Sequence, residues 1–172
     1  MDKQYCGDFD KIYKLDISRY NCRKPLTSVA VVAIARLENE YINEWIDYHR
    51  NLGFCHMYIY DNSCGDEKHI DEVLTDRNKK ISTIIPAYDK YTYQKTAYEH
   101  AYTTYGNKHD YMLFIDIDEF FTLMRHKNII EYIDYLNSRC PGFQSARIHW
   151  EIYDDNNAIE RDITVPVRVF FT

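Results

Sequence analysis

Short, continuous apolar runs alternate along this chain with stretches in which apolar residues recur at helical spacing. Ser28 to Ala35 (Ser-Val-Ala-Val-Val-Ala-Ile-Ala) is uninterrupted and rich in valine. Such a run predicts a strand buried on both faces, the pattern of a parallel sheet with helices on either side. Tyr41, Ile42, Trp45, Ile46, His49 and Leu52 follow at helical spacing. They predict an amphipathic helix closed by Gly53 as its C′ glycine. His56 to Tyr60 predicts a second strand, and Asp61-Asn-Ser-Cys-Gly-Asp66 is turn chemistry. Ile70, Val73 and Leu74 mark a short helix, and Lys80 to Ile85 a third strand stopped by Pro86. A polar, tyrosine-rich loop from Tyr88 to Tyr93 leads into a predicted helix from Gln94 to Tyr105, closed by Gly106-Asn107. The apolar run Tyr111 to Ile115 predicts a fourth core strand, and Lys127 to Ser138 a further helix broken by Pro141-Gly142. Ser145 to Trp150 and Ile163 to Phe171 read as late strands separated by a turn at Asp154 to Asn157.

The order βαβαβαβ followed by two strands predicts an α/β, doubly wound, Rossmann-like sheet with helices on both faces and an antiparallel addition. Residues 27–172 form one domain in this reading. An N-terminal segment, 1–26, precedes it, with Leu15 and Ile17 as a short edge strand. In such sheets ligands bind beyond the carboxyl ends of the strands. The polar clusters fall at those ends: Arg36 to Glu40, Asp61 to Asp66, Tyr88 to Lys95 and Asp116 to Glu119. No G-x-G-x-x-G occurs, which argues against a dinucleotide enzyme.

The fourth strand carries the sharpest chemistry. It runs into Asp116-Ile117-Asp118. If the strand continues that far, residues two apart share a face and the two carboxylates lie on one side. Carboxylates that close repel each other unless a cation or strong donors lie between them. Oxygen ligands select hard cations such as Mg²⁺ or Mn²⁺, and such a cation holds a diphosphate. The competing structural reading is that these acids cap the next element or face water.

Composition narrows the field. With 172 residues, 45% hydrophobic and 28% charged, the chain is long enough for a real core and is not of disordered type. A net charge of −6 argues against a general nucleic-acid binder, though not against a nucleotide ligand. The five cysteines show no C-x-x-C pair, so neither a disulfide framework nor a zinc site is expected. Reduced thiols fit a cytoplasmic location, and peripheral contact with the inner face of a membrane is compatible with it. No apolar run reaches the length of a membrane span, and the N-terminus lacks a signal-peptide core.

Four segments together resemble a known family. They are Ala35-Arg-Leu-Glu-Asn-Glu-Tyr-Ile-Asn-Glu-Trp-Ile-Asp-Tyr-His49, Leu52-Gly-Phe-Cys-His-Met-Tyr-Ile-Tyr-Asp-Asn-Ser63, Gln94 with Ala97-Tyr98, and Phe114-Ile-Asp-Ile-Asp-Glu-Phe120. This ordered set, spanning Val29 to Trp150, is similar to the family-2-like glycosyltransferases, in the branch related to family 92. The resemblance implies a GT-A fold of the nucleotide-diphospho-sugar transferases and a divalent metal, Mn or Mg. It also implies transfer of a sugar from a nucleotide donor, a UDP-sugar, to a glycan or glycoconjugate hydroxyl. On this resemblance Asp118 is the metal ligand, and Asp116 serves the metal or the donor ribose and sugar. Asp61 lies near the uracil or ribose, Glu38 and Asn39 form the nucleotide-side loop, and Gln94 and Lys95 contact the donor. An inverting reaction needs a carboxylate base on the acceptor hydroxyl. Asp154 and Asp155, with Glu151, are the acids near the end of the next strand.

The chain departs from that family after the late strand. Relatives carry a small glycine- and serine-rich loop where this chain has His149-Trp-Glu-Ile-Tyr-Asp-Asp-Asn-Asn157. The chain also stops at Thr172 within an apolar run, so the expectation is a C-terminal truncation with an incomplete acceptor side. An alternative class follows: a non-catalytic GT-A-like domain that binds a nucleotide sugar or a protein. A nucleotidyltransferase is a third reading, but Ala35-Arg-Leu-Glu-Asn-Glu lacks the glycine-rich basic loop it needs. Trp45 and Tyr48 read as packing residues and His49 and His56 as structural histidines, because they fall on or beside apolar faces. Tyr88, Tyr91 and Tyr93 read as either stacking residues or loop surface.

Overall fold

The computed structural model describes residues 27–88, 90–91 and 93–149. The expectations on segment 1–26, on Trp150, Glu151, Asp154 and Asp155, and on the strand Ile163 to Phe171 lie outside these residues.

Among the described residues four strands, β1 (Val29–Ala35), β2 (His56–Asp61), β3 (Ser82–Pro86) and β4 (Tyr111–Phe114), form one sheet in the order β3-β2-β1-β4. All three pairings are parallel, with Ala30 opposite His56 and Met112, and Met57 opposite Ser82. The start of the sheet is pinned where Ser28 donates from N and Oγ to Asp110 Oδ2, at 2.8 and 3.0 Å. β1 is the interior strand with the uninterrupted apolar run, and nearly all of it is buried. Parallel strands with both faces covered need that composition.

Among the described residues five α-helices surround the sheet: α1 (Ile42–Asn51), α2 (Ile70–Val73), α3 (Asp76–Lys79), α4 (Gln94–Tyr105) and α5 (Ile129–Arg139). Alternate strand residues face different helices. Val29, Val31, Ala33, Met57 and Ile59 pack against α1 and α5 through Ile42, Trp45, Ile46, Ile129 and Ile133. Ala30, Val32, Tyr58 and Tyr60 pack against Ala97 and Ala101 of α4. The helices thus lie on both faces, and the architecture is that of a Rossmann-like α/β fold. Gly53 closes α1 with φ +97°, a conformation that suits glycine at that position.

Several expectations change. β4 ends at Phe114, and Asp116 to Asp118 lie in a turn rather than on a strand. The helix α3, opened by Thr75 accepting a bond from Asn78 N, was not expected. Ser145 to His149 carries no strand, and these residues are exposed, without the burial that would select one. Cys140 is disulfide-bonded, against the expectation of reduced thiols, whereas Cys55 and Cys64 are free. Among the described residues no helix is long and apolar enough to cross a membrane.

Candidate functional site

The strand order places a topological switch between β1 and β4. From β1 the chain winds outward through β2 and β3, then crosses back to β4 on the other side of β1. Loops leaving β1 and β4 diverge at such a point and open a crevice for ligands. Arg36 to Asn39 and Ile115 to Glu119 are the segments that leave β1 and β4 at that point.

Ile117 is buried at 2% exposure, and its neighbours Asp116 and Asp118 flank it, half-buried and exposed respectively. A buried apolar anchor between two outward acids gives the same two-residue period as a strand. Asp116 N donates to Glu119 Oε2 at 3.1 Å, and Glu119 N donates to Asp116 O at 3.1 Å, which closes the turn. Gln94, the first residue of α4, donates through Nε2 to Asp116 Oδ1 and to the Tyr98 hydroxyl at 3.2 Å. That hydroxyl donates to the Ile115 carbonyl at 2.9 Å and lies 3.3 Å from Asp116 Oδ1. Tyr98 therefore sets the Asp116 carboxylate, a role the sequence pattern did not suggest.

The β1 loop brings a third acid to the crevice. Leu37 adopts φ +67°, unusual for a residue with a side chain, and is exposed at 66%. This tight turn folds the Glu38 carboxylate back onto Arg36 N. Burial pushes the Glu38 carboxyl up, and the fields of Asp118 and Asp116 push the same way, against backbone N–H donors. Glu119 is also raised, first by burial and then by Asp116 and Asp118. Four carboxylates thus share one electrostatic neighbourhood with no cationic partner among these contacts. Lys95 points elsewhere, with its ammonium 3.8 Å from Glu99 in an exposed pair that contributes little.

Helix α1 holds this turn from behind. Trp45 Nε1 donates to the Glu119 carbonyl at 2.8 Å, and the Tyr48 hydroxyl to the Phe121 carbonyl at 3.0 Å. His49 completes the clamp. Its Nδ1 lies 2.9 Å from the Trp45 carbonyl, so it carries the proton, and Nε2 accepts from Phe121 N at 3.3 Å. Burial lowers the His49 pKa to about 4, so the ring is neutral. These three side chains are packing residues rather than ligands, as expected, but their polar tips also fix the backbone after the acid turn. Their spacing, three and four apart on the apolar face of α1, was the available signal.

Asp61, at the end of β2, has a different environment. It is 3% exposed. Oδ1 accepts from Ser63 N at 3.0 Å, and Oδ2 accepts from Ile70 N and His69 Nδ1, both at 3.0 Å. Burial alone would raise its pKa, but the donors of Ser63, Ile70 and His69 outweigh it and hold the carboxyl below its usual range. The β1 and β2 loops are tied together. Arg36 makes a forked bond to Glu67, 2.7 Å at its shortest, and Asn39 Nδ2 donates to the Lys68 carbonyl at 2.7 Å.

Residues 29–163 match the sequence profile of glycosyltransferase family 92. The chain belongs to that family. It is 27% identical over 139 residues to the glycosyltransferase family 92 protein Os08g0121900 of Oryza sativa subsp. japonica, covering 74% of this chain and 24% of that protein. It is 31% identical over 88 residues to the family 92 protein RCOM_0530710 of Ricinus communis, covering 51% of this chain and 15% of the relative. The family 92 domain seen here therefore spans about a quarter or less of the curated relatives it matches. No solved structure gives a significant match.

Proposed function

We propose that this domain is a metal-dependent glycosyltransferase that moves a sugar from a UDP-sugar to a hydroxyl of a glycan or glycoconjugate, with inversion. Family membership supports a glycosyltransferase. The observation that carries the rest is the convergence of Glu38, Asp116, Asp118 and Glu119 at the β1/β4 switch point, where Glu38 and Glu119 are raised by burial and by the fields of Asp116 and Asp118. Such a cluster repels a bare diphosphate and attracts a hard cation.

The donor set fits a cation shared with substrate rather than one caged by protein. Among the described residues no three His, Cys, Asp or Glu side chains are grouped to hold a metal ion. Mg²⁺ and similar ions are commonly held by one or two carboxylates, with phosphate oxygens and water filling the remaining positions. Asp118, exposed, and Asp116, oriented by Gln94 and Tyr98, are the carboxylates that would hold it. Bound there, a divalent cation would neutralise charge on the nucleoside diphosphate as it departs. Glu38 and Asn39 line the nucleotide side of the crevice, and Gln94 reaches the donor from α4. The acceptor hydroxyl attacks the anomeric carbon while a carboxylate, Asp154 or Asp155 in this proposal, takes its proton.

Calorimetric titration with nucleoside diphosphates, with and without Mn²⁺, tests the reading. Metal-dependent UDP binding by the wild type, lost in an Asp116→Ala/Asp118→Ala variant, is the expected result. A folded protein that binds no nucleotide in the presence of metal would refute it. Measured UDP release with an acceptor separates turnover from binding alone.

A further inference from the structure

Resting on the UDP-sugar reading above, we infer that His69, and not Asp61, reads the nucleobase of the donor, with Tyr88 as the ring beneath that base. Three independent features support this. The first is the state of Asp61. Its carboxylate already accepts from Ser63 N, Ile70 N and His69 Nδ1 and is 3% exposed, so it has no free edge to offer a base. Its role is to orient His69.

The second is a cavity of about 440 Å³ at the carboxyl ends of β2 and β3, lined by Asp61, His69, Asp71, Ile84, Pro86 and Tyr88. Its lining combines the rings of His69 and Tyr88 and the apolar Ile84 and Pro86 with the Asp61 and Asp71 carboxylates, and the pair of rings suits a planar heterocycle. The His69 and Tyr88 ring centroids lie 6.2 Å apart and are tilted by 45°, so they form an open jaw rather than a closed stack. Both rings are accessible: the His69 side chain is 39% exposed and Tyr88 is 42% exposed.

The third is reach. The order β3-β2-β1-β4 separates the ends of β2 and β4 by two strand spacings, about 10 Å. A nucleoside diphosphate covers that span, with its base at β2/β3 and its phosphates at the acid turn. The loops between are braced by the Arg36–Glu67 fork and the Asn39–Lys68 bond, so the two ends hold a fixed relation.

The tautomer gives the specificity. With the Nδ1 proton directed at Asp61, the Nδ1–H tautomer of His69 offers Nε2 as an acceptor. An acceptor selects a base whose edge presents an imino N–H. Uracil has one, and cytosine presents a ring nitrogen acceptor at the same position. The jaw is therefore matched to uracil over cytosine.

The test compares UDP, CDP and GDP by calorimetry with Mn²⁺ above neutral pH, on wild type, His69→Asn and Tyr88→Ala. Asparagine keeps a donor near Asp61 while removing Nε2, and a thermal melt of each variant verifies folding. The expected result is UDP preferred over CDP in the wild type, with about a tenfold loss of UDP affinity in His69→Asn and a UDP:CDP ratio near one, as for one lost hydrogen bond. Tyr88→Ala should weaken all bases alike, about tenfold, as stacking is tolerant of base identity. An unchanged UDP:CDP ratio in folded His69→Asn, or no preference for UDP over CDP in the wild type, would overturn the assignment to His69 and uracil. Either outcome leaves the metal-dependent donor site standing; only a wild type without nucleotide binding removes both.

Discussion

Two groups of carboxylates stand at the carboxyl edge of this sheet, and they are built on opposite terms. Asp61 is buried and surrounded by donors that hold its pKa down. Glu38 and Glu119, beside Asp116 and Asp118, are pushed up by burial and by each other's neighbours. A charge whose partners are all internal stabilises the fold, because its hydrogen bonds replace those it had with water. A cluster left without compensating cations does the reverse, and persists only where the surrounding structure enforces it. Here the enforcement is visible: Trp45, Tyr48 and His49 hold the backbone, and Gln94 and Tyr98 hold Asp116. The difference lies in the balance: at Asp61 the internal donors outweigh burial, whereas at Glu38 and Glu119 burial and the neighbouring carboxylates outweigh theirs.

The sharpest way to break this contrast is Asp118→Asn. Turnover, read as UDP release with Mn²⁺, should fall by a factor of about 10²–10³, the usual loss when one electrostatic contact to the developing charge is removed. The melting temperature should hold or rise, because repulsion with Glu38 and Glu119 is relieved. Retained turnover, or a marked loss of stability, would place Asp118 with Asp61 instead.

The clamp behind the turn is tested by acid. The folded His49 pKa of about 4 lies below its ordinary 6.5. The unfolded chain therefore binds the proton first, and the contribution, present above 6.5, is lost as pH falls through 4. It amounts to about 3 kcal/mol. Urea denaturation as a function of pH should show this slope, and His49→Phe should flatten it. The two carboxylate groups pull oppositely and in different windows, Glu38 and Glu119 above the ordinary glutamate range and Asp61 below the ordinary aspartate range. Glu38 and Glu119, raised on folding, add stability as pH falls through their folded pKa values. Asp61, lowered on folding, loses its contribution as pH falls through its own.

Asp61→Asn should cost about 1–3 kcal/mol of stability, since the donors of Ser63, Ile70 and His69 lose a charged acceptor. Chemical denaturation reads this, and metal affinity at the acid turn should not move. The smallest effect belongs to Leu37→Gly. Glycine accepts φ +67° without strain but raises the entropy of the unfolded chain, so the net change should stay within about 1 kcal/mol. A larger loss would show that the Leu37 side chain carries packing of its own.

Much of this architecture was legible in the sequence, because uninterrupted apolar runs and helical spacing each answer to one kind of burial. Gln94–Tyr105 and the strands around Val29–Ala35 and His56–Asp61 fall where the pattern put them. The strand pattern runs only to Ile115, and a buried Ile117 between two acids imitates the strand period inside the turn that follows. Helix α3 has no apolar periodicity to reveal it. The clamp was not legible either: its bonds run to backbone atoms 72 to 74 positions away, which no local pattern encodes. The saturation of Asp61 depends on His69 and Ile70 returning to it through a loop, which turn chemistry alone does not predict.

The interior position of β1 also sets the order in which the parts can assemble. β1 pairs with β2 across a short separation, but its other edge waits for Tyr111–Phe114, whose register begins with Val29 opposite Tyr111. During synthesis the segment through β3 emerges as two successive βαβ units while that edge of β1 is still open. Contacts between distant positions close last and slow folding. The acid turn lies just beyond β4, so the nascent chain carries the loop that bears Asp61 and His69 well before it gains Asp116 and Asp118. A ribosome-stalled chain ending near Tyr105 would expose a hydrophobic strand edge, the kind of surface that chaperones bind.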